Sequence, residues 1–199
     1  MQAPADARAP RAPQAPLAPQ ATQGAQVRQA TQATQAGPDA ETQDQGVAPP
    51  RGLHTGAMHG PTPASIPGGR LVTTAQLVQA LRGPAAGRPL IFDVLGGPER
   101  LPGAQNAVPA HQPGNFDDDT QREFGRYLQQ VTQGRMDMPL VFYCASTQCW
   151  MSYNAALRAI TMGHKQVLWY RGGLQSWKQA GQPVEGAQQG PPPRPNLPG

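Results

Sequence analysis

The first 91 residues of this 199-residue chain contain no aromatic side chain: four Phe, four Tyr and three Trp all lie between Phe92 and Trp177. That absence excludes two equal domains, because only the second half carries the side chains that build a core. Charge is scarce as well. Asp, Glu, Lys and Arg make up 14 % of the chain and the net charge is +4, a basic excess too thin for a nucleic-acid surface. No apolar run approaches the roughly 18 residues that span a bilayer, so no membrane span is expected. The start, Met1-Gln2-Ala3-Pro4, lacks the basic and apolar regions of a secretory signal, although a polar start is equally what remains after a signal is cleaved. The only two cysteines, Cys144 and Cys149, are too few for structural zinc, and Trp150 stands where a c-type haem attachment needs His. No metal or other cofactor is expected.

Proline and glycine are abundant, at 24 and 23 residues. Through residues 1–50 Gln, Ala and Pro dominate, and Gln recurs at every third position from Gln20 to Gln35, a period that fits neither helix nor strand. With almost nothing apolar to bury, ordering this stretch costs more conformational entropy than burial returns. Residues 1–65 are therefore predicted to be a disordered tether, and 187–199, with Pro191-Pro192-Pro193, a stiff Pro-rich tail. Residues 66–186 remain as one domain.

Within that domain, short apolar runs alternate with helical periodicities. Pro89 to Val94, Leu140 to Tyr143 and Val167 to Tyr170 read as buried strands. Thr73 or Thr74 caps a helix carrying Leu77, Val78 and Leu81; Asp117 to Asp119 cap one carrying Phe124, Tyr127, Leu128 and Val131. A third helix presents Tyr153, Ala156, Leu157 and Ile160 and stops at Gly163, and Gly172-Gly173 turns into a fourth with Leu174 and Trp177. The pattern predicts an α/β fold with a mostly parallel sheet flanked by helices.

Reactive groups in such sheets collect at the carboxyl ends of strands. Cys144 is at one, and the loop Ala145, Ser146, Thr147, Gln148, Cys149, Trp150, Met151, Ser152 joins it to a helix start. Loop N–H groups and the helix dipole there favour a thiolate, making Cys144 the candidate nucleophile. Trp150, Tyr153, Trp169 and Trp177 either wall that site or pack the core. The four His, at 54, 59, 111 and 164, are dispersed and read as solvated loop residues.

These residues resemble the rhodanese-like domains. Leu90 to Val94 looks like the family's strand ending in Asp-Val, Leu101 to Pro109 its Pro-Gly-Ala segment, Leu140 to Cys144 the strand that delivers its nucleophile, and Gly172 to Val184 its Gly-Gly, Trp and Gly-x-Pro-Val pattern. The resemblance implies a single rhodanese-like domain with Cys144 as the sulfur-carrying residue and Asp93 and Trp177 in support. Cys149 to Ala159 is similar to the rhodanese-related family named for a Cys-x-x-Cys-Trp motif and associated with PQQ-dependent catabolism. That likeness implies a periplasmic setting, the alternative being the cytoplasm, with a quinoprotein dehydrogenase or a c-type cytochrome as partner. Two departures stand out: four residues separate the cysteines instead of two, and the Arg with which active rhodaneses hold an anionic substrate is missing from the loop. Three functions follow from these residues: a persulfide carrier or atypical sulfurtransferase acting on a small sulfur or thiol compound, a Cys144–Cys149 thiol–disulfide switch, and a catalytically silent binding module.

Overall fold

The computed structural model describes residues 38–186; the first 37 residues of the tether expected over 1–65, and the tail expected over 187–199, lie outside the described residues. In chain order the strands are β1 (Arg70–Leu71), β2 (Leu90–Asp93), β3 (Glu99–Arg100), β4 (Gln105–Asn106), β5 (Leu140–Tyr143), β6 (Val167–Tyr170) and β7 (Glu185–Gly186). Five of them form one parallel sheet in the order β1-β6-β5-β2-β4, and β3 and β7 pair antiparallel as a separate ribbon. All four residues of β5 and of β6 are buried, as a strand covered on both faces requires. The helices are α1 (Thr74–Arg82), α2 (Asp119–Thr132), α3 (Met151–Thr161) and α4 (Gly173–Gln179).

Alternation along the strands sorts the core into two clusters. Phe92, Phe142 and Trp169 pack with Phe124, Leu128, Trp150 and Tyr153, whereas Ile91, Val141, Tyr143, Leu168 and Tyr170 pack with Leu77 and Trp177. The helix caps follow the sequence. Thr73 and Gln76 form a reciprocal capping box on α1, and Asp118 caps α2 by accepting the Gln121 N–H at 2.7 Å. Asp118 also receives the fully buried guanidinium of Arg158 on both carboxylate oxygens, at 2.8 and 2.9 Å, which ties α2 to α3. The Arg158 hydrogen bonds favour the charged carboxylate and hold its pKa down to about 2.

Residues 38–65 depart from the expected tether. They run as an arm along the domain, beginning with a 3-10 turn at Pro38–Glu41 and placing Val47, Leu53 and Met58 against the first core cluster. The arm is poor in apolar side chains, but the domain supplies what composition could not show: buried polar groups that bond to the arm's backbone. His164 departs too. It is 5 % exposed, not solvated, and burial lowers its pKa. No helix among the described residues is long and apolar enough to cross a membrane.

Candidate functional site at the end of β5

β5 and β6 are paired with Tyr143 opposite Tyr170, so the next residues, Cys144 and Arg171, leave neighbouring strand ends side by side. The start of α4 docks on the cysteine loop: Leu174 N–H donates to the Cys144 carbonyl and Gln175 N–H to that of Ala145, both at 2.9 Å. This close approach demands glycine at 173, where φ is +60° and a Cβ would lie 2.3 Å from the Cys144 oxygen. The Gly-Gly motif therefore fixes the cysteine loop from behind.

The loop then curls back on itself. Gln148 N–H donates to Ser146 Oγ and Cys149 N–H to the Ser146 carbonyl, each at 3.2 Å. The turn brings Cys149 to a Cα–Cα distance of 6.2 Å from Cys144, and the two are joined as a disulfide with each residue 1 % exposed. Of the amides expected to converge on a thiolate, those of Gln148 and Cys149 are engaged within the turn, and that of Trp150 donates to the Met58 carbonyl of the arm at 3.0 Å.

The other expected site residues divide. Ala145 to Gln148 form the turn, and Trp150 and Met151 lead into α3. Ser152 is not a loop hydroxyl: its Oγ accepts the Trp169 indole N–H at 3.0 Å inside the core. Asp93 folds its own turn after β2, Oδ1 accepting from Leu95 N–H at 2.9 Å and Gly96 N–H at 3.0 Å. Burial and the neighbouring Asp93 charge raise the Tyr143 hydroxyl pKa. Trp177 donates to the Pro183 carbonyl at 2.7 Å and belongs to the other core cluster from Trp150, Tyr153 and Trp169, so the four aromatics do not wall one pocket. Among the described residues no group of three or more His, Cys, Asp or Glu is arranged to hold a metal ion.

Sequence reasoning missed Arg171. Its guanidinium is buried and grips the arm, Nε donating to Thr62 Oγ1 at 2.9 Å, Nη2 to the Thr62 carbonyl at 2.8 Å, and Nη1 to the carbonyls of Glu41 and Gln43 at 3.1 and 2.7 Å. Desolvation lowers its pKa, against an opposing contribution from Asp44. Thr62 passes the link to the cysteine loop by donating to the Thr147 carbonyl at 2.7 Å. The arm's first anchor, Glu41, accepts Thr74 N–H at 2.7 Å and fills space that a Cβ at Gly172 would take. An Arg directly after a four-residue apolar strand at its carboxyl end was the available signal. His54, expected to be solvated, stacks on Trp150 with ring centroids 4.0 Å apart.

A model of the rhodanese-like domain matches residues 74–180. The chain belongs to the rhodanese-like domain family. Solved structures to which the chain is similar include a thiosulfate sulfurtransferase from Pseudomonas aeruginosa (17 % identity, TM-score 0.44, 61 % of this chain) and a Rhodanese_3-like domain from Anabaena (19 %, TM-score 0.35, 49 % of this chain and 98 % of that one). A Rhodopseudomonas palustris protein of unknown function described as a possible tyrosine phosphatase is 25 % identical, with TM-score 0.40 over 56 % of this chain and 81 % of that one. The match spans only 21 % of the Pseudomonas sulfurtransferase. No curated protein matches the chain. The arm over residues 38–65 lies N-terminal to the part matched by the family model.

Proposed function

We propose that this rhodanese-like protein handles sulfur or thiols through Cys144 and Cys149 acting as a dithiol–disulfide couple. The observation that carries the reading is the disulfide across the strand-end turn. A thiolate from a substrate attacks one sulfur of the bridge and expels the other cysteine as a thiolate; a second substrate thiolate then attacks the mixed disulfide, releasing the reduced pair and an oxidised substrate. A second reading, persulfide carriage on Cys144, is favoured by family membership and by the position of Cys144 at the end of β5. The two connect chemically: a Cys144 persulfide attacked at its Cys144 sulfur by the Cys149 thiolate loses hydrosulfide and closes the same bridge. The likeness to the Cys-x-x-Cys-Trp family adds a periplasmic setting beside a quinoprotein dehydrogenase or c-type cytochrome to the proposal. Intact-mass spectrometry of protein purified without reductant tests it. The expected species is an internal disulfide that takes up two alkyl groups only after reduction; two free thiols under oxidising conditions would overturn it.

A further inference from the structure

The arm binds the domain in a particular way: from Gln43 to Gly60, the domain mostly grips its main chain. Arg171 holds the Gln43 carbonyl, and Tyr153 donates its hydroxyl to the Pro50 carbonyl at 2.8 Å. The Asn154 side chain matches the peptide group of one residue, accepting the His54 N–H at 2.8 Å and donating to the His54 carbonyl at 2.9 Å. Farther along, Trp150 N–H donates to the Met58 carbonyl, and the Gln148 carbonyl accepts Gly60 N–H at 2.9 Å. Asn154 is fully buried and Tyr153 is in the core; Asn154 Nδ2 also donates to the His111 carbonyl at 3.0 Å, but the partner of its Oδ1 and of the Tyr153 hydroxyl is the arm's backbone lying across them. Side chains add to this: Val47, Leu53 and Met58 pack against the first core cluster, Gln45 bonds Gln148, the His59 imidazole meets the Gln148 carbonyl and His54 stacks on Trp150. The main-chain bonds hold the segment, and the seats of Leu53, His54 and Met58 set which sequences fit.

His59 forms an antiparallel bridge with Cys149. Antiparallel partners have Cα atoms about 4.5–5.5 Å apart, inside the roughly 4.4–6.8 Å range of disulfides. A cysteine at the position of His59 would therefore be within bonding distance of Cys149.

We propose that the groove under residues 43–60 is a site for a cysteine-bearing segment of a partner protein, and that the arm is its resident occupant. This rests on the dithiol–disulfide reading. When the arm yields, the partner's thiolate, having given its proton to solvent, attacks Cys149 Sγ; the Cys144–Cys149 bond breaks, Cys144 leaves as a thiolate and the partner is held as a mixed disulfide. A second thiolate on the partner attacks the partner's own bonded sulfur and frees Cys149, so the partner loses two electrons and the cysteine pair gains them.

The test uses full-length protein with the arm weakened from the arm side, His54→Pro with Gly60→Pro, which removes two of the arm's N–H donors and leaves every groove residue unchanged. Gly60→Pro alone serves if the double variant is unstable. The probes are a synthetic peptide of residues 50–62 with His59→Cys, a scrambled peptide of the same composition, and a fluorescent cysteine-free parent peptide. Loss of two hydrogen bonds and of the His54 stack on Trp150, with a φ of +150° at Gly60 that proline cannot adopt, corresponds to at least about a tenfold gain in groove availability. The variant should form the mixed disulfide with the ordered peptide at least about tenfold faster than wild type, show no such gain with the scrambled peptide, and lose the gain when Asn154→Ala is added. Equal rates with both peptides, or no binding of the parent peptide by anisotropy, would overturn the groove. Binding of the parent peptide with a bridge that no thiol reduces would instead overturn the redox reading.

Discussion

Replacing Arg171 by Gln should open the arm without touching either cysteine. The Arg171 guanidinium makes four hydrogen bonds to the arm, and three of them end on backbone carbonyls. Bonds from a charged donor contribute about 1.5–3 kcal/mol each in isolation, but on opening the guanidinium and the carbonyls regain water, so the net loss in docking is about 3 kcal/mol. That corresponds to roughly a hundredfold rise in the open population at about 1.4 kcal/mol per decade. Arg51 is the arm's one trypsin site, exposed yet anchored beside it through the Pro50 carbonyl. When opening is fast relative to cleavage, nicking reports the open population. Limited trypsinolysis followed by mass spectrometry should show cleavage after Arg51 accelerated by about two orders of magnitude in Arg171→Gln, with the core intact. Equal nicking of wild type and variant would refute the assignment of Arg171 as the clamp.

Reducing the bridge removes a small covalent loop, and loop-closure entropy for five to six residues predicts a loss of about 2 kcal/mol, read as a lower urea midpoint in reductant. Asp118, whose carboxyl pKa is depressed to about 2, contributes stability that is complete above the ordinary carboxylate value and is lost as pH falls from there through about 2; Asp118→Asn should flatten this acid limb in unfolding midpoints measured from pH 5 downwards. Thiosulfate:cyanide transfer should be feeble and abolished by Cys144→Ser, since Ala145 to Met151 contain no cation and Arg171 is committed to the arm; turnover near that of an active rhodanese would contradict this.

The strands that carry the site were legible because burial on both faces writes itself as continuous apolar runs: Leu140 to Tyr143 and Val167 to Tyr170 coincide with β5 and β6. Caps were legible for a similar reason, since Thr73 and Asp118 answer the exposed amides of the helices they begin. The two-residue strands β1, β3, β4 and β7 were not, because a pairing that short is set by the neighbour and not by its own sequence. The order of residues 38–65 was hidden in the same way. Its composition speaks for disorder, but the energy that fixes it resides in Arg171, Tyr153 and Asn154, more than 90 residues away, acting on main-chain atoms that every sequence possesses. For Cys144 and Cys149 the spacing allowed a bridge without requiring one; the curl at Ser146 decides it. Ser152 was misplaced because the partner of its hydroxyl, Trp169, comes from another strand.

The most direct test of the central claim is a redox titration of the full-length protein in glutathione buffers, quenched with an alkylating agent and read by intact mass. Cys144 and Cys149 acting as one couple predict a single reversible transition between an unalkylated and a doubly alkylated species, lost when either residue is changed to Ser. A bridge that stays closed across the whole range, or a singly alkylated species stable in mid-titration without bound glutathione, would contradict it.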